Sequence, residues 1–465
     1  MSGFAHLGLD TRAALQSLGA ETAAPGGQTV TAAAMIAAAE TIAAALRAKG
    51  SAADEPVVLT IANEPPDLAG FLGIWLAGCV AAPIHVTTPA AASDALVARL
   101  GSRFAVRAGA VSAVGDTAPQ RRKLLKDAAL IVFTSGSTGA PKGVVVGHAG
   151  LAWKLGVLSR LLGFARNDVV AVPLQLTFIF GIWVSLLALQ SGSRLLLTPR
   201  LAQTPDALAD ATLLAAVPTL LRALTAMPSR GAARLRAVLT GGEPFPPALS
   251  ERVAACFPGG RIVDLFGLTE TGSCDFVADY GTGAPVAGTI GRPTEGVAFR
   301  IAAASPPLPG GAGELEIRTP ARMLGYLDDP ALTQQAFAGD YFRTGDLACL
   351  RDDGCVALVG RSKDVVSRGG NKIGPLEIEN LFTRHDGVAA ALAFGVPDAR
   401  LGEALQLMVV RRDPALTEAA LRDWARERVE RYKLPDAIHF VDTLPVGRTG
   451  KADRAAARLA LQGRP

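Results

Sequence analysis

The segment richest in chemistry is a glycine- and hydroxyl-rich run at 133–143, which reads FTSGSTGAPKG. It directly follows an apolar run that predicts a buried strand. Four hydroxyl side chains and two glycines in six residues allow a loop to direct N–H and O–H donors at phosphate oxygens, and Lys142 adds a positive charge. The run is not a Walker A loop, because Pro141 and Gly143 occupy the places of the second glycine and of the serine or threonine. We therefore predict phosphate binding here, with a flexible Gly/Ser turn as the alternative.

Two further segments combine glycines with an aromatic ring or a carboxylate, and each follows a predicted strand. They are 240–244, which reads TGGEP, and 264–272, which reads DLFGLTETG. Glycines after a strand allow a flat ligand to approach the backbone. Phe266 can stack on a purine, and Glu270 is a hard oxygen ligand suited to Mg²⁺ on phosphates. Either segment alone also fits an ordinary strand-to-helix turn.

Three segments later in the chain carry charged groups beside glycines. In 341–347 (YFRTGDL), a carboxylate after a Thr-Gly turn can accept both hydroxyl protons of a ribose. The run 360–378 lies at a predicted domain boundary, where charged and flexible residues suit a hinge. The run 444–454 places glycine directly before a lysine. Taken singly, each also fits a tight turn, a solvated linker or a solvated lysine.

The elements that must position these residues are predicted from hydrophobic pattern. To about residue 265, short apolar strands such as 56–61 alternate with helical segments, which indicates crossover units and a largely parallel sheet. From about residue 285, Gly/Pro-rich turns separate short alternating strands such as 313–319, which predicts a small antiparallel subdomain. We predict an α/β fold with a large N-terminal domain at 1–360 and a small α+β domain at 361–465.

Composition excludes several classes of protein. The 465 residues are 49% hydrophobic and 19% charged, so the chain can bury large cores and is not globally disordered. A net charge of +4 without a basic block argues against nucleic acid as the partner. Five cysteines without a CxxC pair disfavour a disulfide framework or zinc site. The start of the chain is not that of a signal peptide, and the apolar runs 68–86 and 178–189 are predicted to be buried helices, so we expect a cytoplasmic protein.

Taken together and in order, the segments resemble the adenylate-forming superfamily, which contains acyl- and aryl-CoA synthetases, peptide-synthetase adenylation domains and luciferases. The motifs TSGSTGAPKG, FGLTE, YFRTGD, GRSKD and PVGRTGK match in order and register between about residues 125 and 455. The resemblance implies that ATP and a carboxylic acid form an acyl-adenylate with release of pyrophosphate. The acyl group then passes to a thiol. This chemistry needs charge neutralisation and positioning more than covalent catalysis.

The resemblance also implies roles for individual residues. The implied catalytic residues are Lys451, Glu270, Thr269 and Lys142, with Glu270 also binding Mg²⁺. The implied ATP-binding residues are Thr134, Ser135, Gly136, Ser137, Thr138, Gly139, Lys142, Gly242, Glu243, Pro244, Phe266, Asp346 and Arg361. In this reading Asp346 takes the ribose hydroxyls. Gly242, Glu243 and Pro244 flank adenine, and Phe266 stacks on it. The resemblance also implies that the C-terminal domain at 361–465 is mobile. The implied hinge is Lys363, and Gly369 and Gly370 border the channel for the thiol.

The acid-binding segment is predicted from positions around the run TFIFGIW. Ile179 stands where amino-acid-activating members place an aspartate, and a buried apolar residue cannot compensate an ammonium. Phe178 replaces a histidine of many fatty acyl-CoA ligases, and the run resembles benzoate-type aryl-CoA ligases. Trp183 and Gly267 complete the predicted pocket, which favours a small aryl or a short-to-medium acyl acid.

The thiol acceptor is predicted from the stretch 363–373, which resembles the CoA-ligase version of this motif. We therefore expect CoA as co-substrate. Loading of a carrier-protein phosphopantetheine is the alternative within the class. A degenerate nucleotide-binding module without catalysis is the alternative outside it, and intact Lys142, Glu270, Asp346 and Lys451 argue against that.

Overall fold

The computed structural model describes residues 6–24, 29–116, 118, 121–134, 141–198, 203–227, 234–281, 288–303, 311–446 and 452–462. It is an α/β fold with several sheets, which confirms the predicted class. Within the described ranges, no helix combines the length and the apolar character needed to cross a bilayer.

Helices alternate with strands over most of the chain. The described α-helices are α1 Leu7–Leu18, α2 Ala32–Ala48, α3 Pro65–Leu76, α4 Ala90–Leu100, α5 His148–Leu162, α6 Ile179–Gln190, α7 Thr204–Leu208, α8 Pro218–Ala226, α9 Pro247–Cys256, α10 Pro330–Gln335, α11 Pro375–Phe382, α12 Glu418–Arg426 and α13 Arg454–Gln462. Short 3₁₀ turns lie at Lys123–Leu125, Thr269–Thr271, Ser362–Asp364 and Arg431–Lys433. Proline occupies an early position of several helices, where its missing N–H costs nothing.

The strands belong to four sheets. They are β1 Glu21–Ala23, β2 Val30–Thr31, β3 Pro56–Ile61, β4 Val80–His85, β5 Phe104–Arg107, β6 Ala110–Ala113, β7 Ala128–Thr134, β8 Lys142–Gly147, β9 Val169–Val172, β10 Arg194–Leu197, β11 Leu213–Ala215, β12 Ala237–Gly241, β13 Arg261–Phe266, β14 Phe276–Asp279, β15 Arg292–Pro293, β16 Ala298–Ala303, β17 Gly313–Arg318, β18 Gly325–Tyr326, β19 Phe337–Ala338, β20 Tyr341–Leu350, β21 Val356–Arg361, β22 Val366–Arg368, β23 Asn371–Ile373, β24 Val388–Asp398, β25 Gly402–Arg411 and β26 Ala437–Val441.

Two large sheets contain strands β1–β15 together with β18. The seven-stranded sheet has the order β18-β8-β7-β4-β3-β5-β6, and the nine-stranded sheet has the order β15-β14-β13-β12-β11-β9-β10-β1-β2. Their central strands are parallel and nearly all buried, as expected where helices cover a sheet on both faces. One hydrophobic core joins α1, α2, α3, α5 and α6 to strands of both sheets.

Two smaller sheets follow. The antiparallel sheet has the order β16-β17-β20-β19, with β21 pairing β20. The C-terminal sheet has the order β23-β22-β25-β24, with β26 pairing β25, and it has a core of its own. Strand β21 of the antiparallel sheet ends at Arg361, and the C-terminal sheet begins at Val366. The domain boundary at Arg361 stays a prediction.

The predicted strands match the structure closely, whereas one predicted helix is wrong. The run 68–86 is helix α3 followed by strand β4, and the chain reverses between them at Gly78, whose φ is +79°. A left-handed glycine ends the helix there, which apolar character alone did not reveal. The second apolar run, 178–189, is confirmed as the buried helix α6.

Candidate active site

The predicted phosphate loop connects two antiparallel strands. Thr134 at the end of β7 pairs with Lys142 at the start of β8. This strand–loop–strand context differs from the strand–loop–helix context of a P-loop, in agreement with the mismatches in sequence. The predicted residues Ser135, Gly136, Ser137, Thr138 and Gly139 lie outside the described residues, so their contact with phosphate stays a prediction.

A tyrosine that sequence reasoning missed connects this hairpin to the predicted magnesium ligand. Tyr326 donates a hydrogen bond from its hydroxyl to Oε1 of Glu270 at 3.0 Å. The ammonium of Lys142 lies 5.2 Å from the centroid of the same ring, within the range of a cation–π interaction. Burial and the neighbouring carboxylate raise the pKa of Tyr326, which therefore stays a donor. Lys142 of the predicted phosphate-binding segment and Glu270, the predicted magnesium ligand, therefore both contact the buried Tyr326.

Tyr326 reaches this place because β18 pairs with β8, with Tyr326 opposite Val144. A pairing between strands that lie so far apart in sequence leaves no local signal in a two-residue strand. The backbone carbonyl of Glu270 also accepts a hydrogen bond from the N–H of Met323 at 2.7 Å. The chain just before β18 therefore holds Glu270 through its backbone, and β18 holds it through its side chain.

Thr269 and Glu270 lie in the 3₁₀ turn that follows β13. Thr271 closes this turn, since its hydroxyl oxygen accepts from the N–H of Leu268 at 3.3 Å. Gly267 precedes the turn, and a Cβ there would lie 2.2 Å from the backbone nitrogen of Cys274. The close return of the chain therefore explains the glycine at 267, and its predicted place in the acid pocket stays a prediction.

The end of β12 presents open backbone where adenine binding was predicted. Gly242 has a φ of +80°, and a Cβ built on it meets no atom within 4 Å. The Glu243 carboxylate accepts from the N–H and the hydroxyl of Thr219, at 2.9 and 2.7 Å, at the N-terminus of α8. Glu243 thus fixes a helix end, and Pro244 follows it on the surface. Contact of these residues with adenine stays a prediction.

Polar groups that sequence reasoning missed are buried beside this edge. Asp264 pairs with Thr240 in the register of β12 and β13. Burial raises the pKa of Asp264 to about 8, so its carboxyl is largely neutral at pH 7. Thr240 Oγ1 and the Tyr280 hydroxyl are buried without a hydrogen-bond partner in the described ranges. Buried polar atoms without partners indicate unmet hydrogen-bonding capacity at this sheet edge.

Phe266 ends β13 with its ring edge-to-face against Phe276, their centroids 6.0 Å apart. It packs on the core that joins β14 to the antiparallel sheet. This packing fixes the ring, and stacking of Phe266 on adenine stays a prediction.

The two carboxylate oxygens of Asp346 differ in their hydrogen-bond partners among the described residues. Its Oδ1 accepts from Nε of Arg361 at 2.8 Å, across the pairing of β20 and β21. Its Oδ2 is buried and has no hydrogen-bond partner among the described residues. Burial raises the pKa of Asp346, and the guanidinium of Arg361 opposes this shift. A buried acceptor without a partner fits the predicted role of binding ribose hydroxyls.

The predicted hinge and thiol-channel residues lie in turns. Lys363 is exposed within the turn Ser362–Asp364. Gly369 and Gly370 form the two-residue turn between β22 and β23, with φ values of +55° and +83°. Both values are positive, as in a type I′ hairpin, so turn geometry by itself accounts for this glycine pair. Their predicted role in a thiol channel stays a prediction.

Lys451, the predicted catalytic residue, lies outside the described residues. A β-bridge between Val446 and Ala452 closes the segment that contains it. Downstream, Arg454 forms an ion pair with Glu379 and lies 3.5 Å from the Asp364 carboxylate. The base of the lysine segment is thus tied to the turn that carries the predicted hinge.

The predicted acid-pocket residues on α6 differ in exposure. Phe178 caps the helix and is 39% exposed, whereas Ile179 is 6% and Trp183 is 0% exposed. The Trp183 ring stacks on Phe180 with a centroid distance of 5.3 Å. Its Nε1 is buried without a hydrogen-bond partner in the described part of the chain. Whether these residues contact the acid stays a prediction.

Comparison with known families decides the class of protein. The model of the AMP-binding enzyme family matches residues 10–126 and 109–327, and that of the AMP-binding enzyme C-terminal domain matches residues 377–451. The chain belongs to the AMP-binding enzyme family. This confirms the predicted adenylate-forming superfamily and, with it, the general class of AMP-forming ligases.

Two relatives of this AMP-binding enzyme have names of CoA synthases or ligases, and a solved structure has the same fold. It is 32% identical over 440 residues to a feruloyl-CoA synthase from Amycolatopsis sp, covering 87% of this chain and 89% of that protein. It is 33% identical over 335 residues to a sulfoacetate–CoA ligase from Cupriavidus necator, covering 70% and 66%. The crystal structure of ATP-bound MatB from Rhodopseudomonas palustris superposes with a TM-score of 0.88 at 25% identity and 99% coverage of both chains.

Proposed function

We propose that this AMP-binding enzyme converts a hydrophobic carboxylic acid and ATP into an acyl-adenylate and pyrophosphate, then transfers the acyl group to CoA. Family membership supports the class of reaction. The observation that carries the ATP site is the buried Asp346 Oδ2, which has no partner in the described residues. Two relatives whose names end in CoA synthase or CoA ligase support CoA as the acceptor.

The first half-reaction is an in-line displacement between two negatively charged partners. The carboxylate of the acid attacks the α-phosphorus, and the bond to the pyrophosphate oxygen breaks. Lys142 and the loop before it would bind the outgoing phosphates, and Thr269 would bind the α-phosphate. Lys451 would bridge the attacking carboxylate and the α-phosphate, where negative charge concentrates in the transition state.

Mg²⁺ fits the residues that the structure brings together. Glu270 supplies a hard carboxylate oxygen, oriented by Tyr326. Among the described residues there is no cluster of three histidine, cysteine or acidic side chains. One carboxylate plus substrate phosphates is a usual environment for this ion. When bound, the ion would neutralise phosphate charge, and Glu270 would hold it.

The second half-reaction requires Lys451 to leave and the thiol to enter. We propose that the chain turns at Lys363, which moves the C-terminal sheet and its Gly369–Gly370 turn toward the adenylate. The exposed position of Lys363 and the separate core of this sheet support such a motion. The thiol loses its proton to solvent, and the thiolate sulfur attacks the acyl carbon. The bond from that carbon to the phosphate oxygen breaks, and AMP leaves with this oxygen.

The acid is proposed to be an aryl or a short-to-medium acyl acid. Ile179 is buried and apolar, which disfavours a substrate ammonium. The buried Nε1 of Trp183 has no partner in the described chain and is available as a donor. A ring hydroxyl or ether on the acid would satisfy it, whereas a plain alkyl chain would not.

The test is acid-dependent exchange of labelled pyrophosphate into ATP, across alkyl acids and aryl acids with and without ring hydroxyls. AMP release is then measured with and without free CoA, and the thioester is identified by mass. Exchange with CoA-dependent thioester formation is the expected result. Exchange without a CoA product would indicate a carrier-protein thiol, and absence of exchange would leave only a nucleotide-binding module.

Lys451→Met tests the catalytic role of that lysine. We expect acyl-adenylate formation to fall by roughly a hundredfold or more, because a preorganised donor to the transition state is lost. Lys49→Met, which removes an exposed lysine after α2, is the matched control and should change nothing. A wild-type rate in Lys451→Met would refute the mechanism.

A further inference from the structure

A buried ion pair lies directly behind the turn that carries Thr269 and Glu270. The ammonium of Lys154, on α5, lies 2.9 Å from Oδ1 of Asp275, and both side chains are 0% exposed. The same ammonium donates to the backbone carbonyl of Cys274 at 3.2 Å. Burial of two charges is costly, so this pair is weak evidence for general stabilisation of the fold.

Asp275 connects the ion pair to the Thr269–Thr271 turn. Its second carboxylate oxygen accepts a hydrogen bond from the hydroxyl of Thr271. That hydroxyl oxygen also accepts from the N–H of Leu268, at 3.3 Å. A chain of contacts therefore runs from Lys154 through Asp275 to Thr271, which is adjacent to Glu270.

The backbone that this chain of contacts holds is strained. Gly272, Ser273 and Cys274 have φ values of +76°, +70° and +52°, three consecutive residues in the left-handed region. For serine and cysteine such a conformation costs on the order of 1 kcal/mol or more each. It persists only where surrounding contacts hold it, and the Lys154 ammonium binds the Cys274 carbonyl within it.

The strained segment Gly272–Cys274 fixes the backbone on both sides of the turn that carries Glu270. It brings the Cys274 nitrogen against Gly267, where no side chain fits. Two backbone hydrogen bonds hold this segment in place. The N–H of Ser273 donates to the Leu268 carbonyl at 2.8 Å, and the N–H of Asp275 donates to the Phe266 carbonyl at 2.7 Å. Glu270 lies in the loop that these two hydrogen bonds close, so its backbone position depends on their geometry.

We propose that Lys154 and Asp275 are positioning residues that hold the Thr269–Thr271 turn so that Glu270 presents its carboxylate to the Mg²⁺–ATP complex. This inference rests on the proposed function, because it takes the Mg²⁺ role of Glu270 from there. Neither Lys154 nor Asp275 touches substrate. Both act through Thr271 and the backbone of the turn.

Two sets of variants separate positioning from simple stability. Thr271→Val keeps nearly the same shape and leaves the ion pair intact but removes the hydroxyl link, and Thr271→Ser retains that hydroxyl. The double variant Lys154→Met with Asp275→Asn removes both charges together, which avoids leaving one buried charge unpaired. Arg103→Met is the matched control, since it breaks the largely buried pair with Glu55 in another part of the chain.

The measurement is the affinity of the intact chain for ATP by calorimetry, with and without Mg²⁺, beside thermal unfolding. We expect Thr271→Val and the double variant to lose about tenfold to a hundredfold of the affinity that Mg²⁺ adds, as for residues that orient a metal ligand. Their affinity for ATP without Mg²⁺ should not change. Thr271→Ser should retain the wild-type gain, and Arg103→Met should lower only the unfolding temperature.

The inference is overturned if Thr271→Val and the double variant lower the unfolding temperature but keep the wild-type gain from Mg²⁺. It is also overturned if Mg²⁺ adds no affinity to the wild-type chain. The calorimetry uses ATP and Mg²⁺ alone, without acid or thiol. A chain that shows the expected loss but no acid-dependent exchange would therefore refute the proposed function and leave this inference standing.

Discussion

Replacement of Asp346 by asparagine should weaken ATP binding and stabilise the fold at the same time. In the wild-type chain, Oδ1 of Asp346 accepts from Arg361, and the buried Oδ2 has no partner among the described residues. Asparagine has the same shape but sets an NH₂ donor against the ribose hydroxyl donors. Loss of a hydrogen bond to a charged group costs about 1.5–3 kcal/mol, or roughly 10- to 150-fold in affinity.

The stability effect has the opposite sign. Burial raises the pKa of Asp346 above the ordinary aspartate value of 3.8. The folded chain therefore binds this proton more tightly than the unfolded chain, so stability falls as pH rises from 3.8 through the folded pKa. Asparagine carries no such cost, and Arg361, whose side chain is 50% exposed, can be solvated by water. The variant should unfold at a higher temperature than wild type at neutral pH, and the difference should shrink in acid.

Calorimetry with ATP tests the predicted loss of affinity, and thermal unfolding at several pH values tests the predicted gain in stability. Asp340→Asn is the control, because that carboxylate is 72% exposed and its ion pair among the described residues is with Arg322. It should leave ATP affinity unchanged. The reasoning fails if Asp346→Asn binds ATP like wild type, or if it loses stability together with affinity at neutral pH.

Two further predictions concern stability and domain motion. Asp264→Asn should flatten the pH dependence of stability, because burial raises the pKa of Asp264 from 3.8 to about 8 and wild-type stability must fall across that window as pH rises. Unfolding temperatures measured from pH 5 to 9 check this, and an unchanged slope would show that Asp264 does not titrate there. Lys363→Pro should retain pyrophosphate exchange but abolish thioester formation, since proline restricts the backbone rotation that the second half-reaction needs. Equal loss of both activities would remove Lys363 from the hinge.

Local sequence predicted the elements and the class of chemistry well. Strands such as 56–61 and 194–197 match the structure residue by residue, since a continuous apolar run flanked by turn residues determines a buried strand locally. The glycine- and hydroxyl-rich motifs are equally local, because their backbone freedom and donors lie within a few residues. They were sufficient to predict the superfamily that the family models confirm.

Tertiary structure alone revealed the groups that orient the site. Tyr326 reaches Glu270 only because β18 pairs with β8, and Lys154 reaches Asp275 across 121 residues of sequence. Neither contact has a periodicity or a short motif that points to it. The same holds for Asp264, whose raised pKa arises from burial in the folded chain and not from any local motif.

The sequence by itself thus determined which residue types are available for adenylation and which segments carry them. The tertiary structure decided which of them meet, which carboxylates are buried, and which oxygen of Asp346 has no partner in the described part of the chain. The physical reason is that backbone conformation depends mainly on near neighbours. Burial, desolvation and hydrogen-bond satisfaction instead depend on every element that packs against a group.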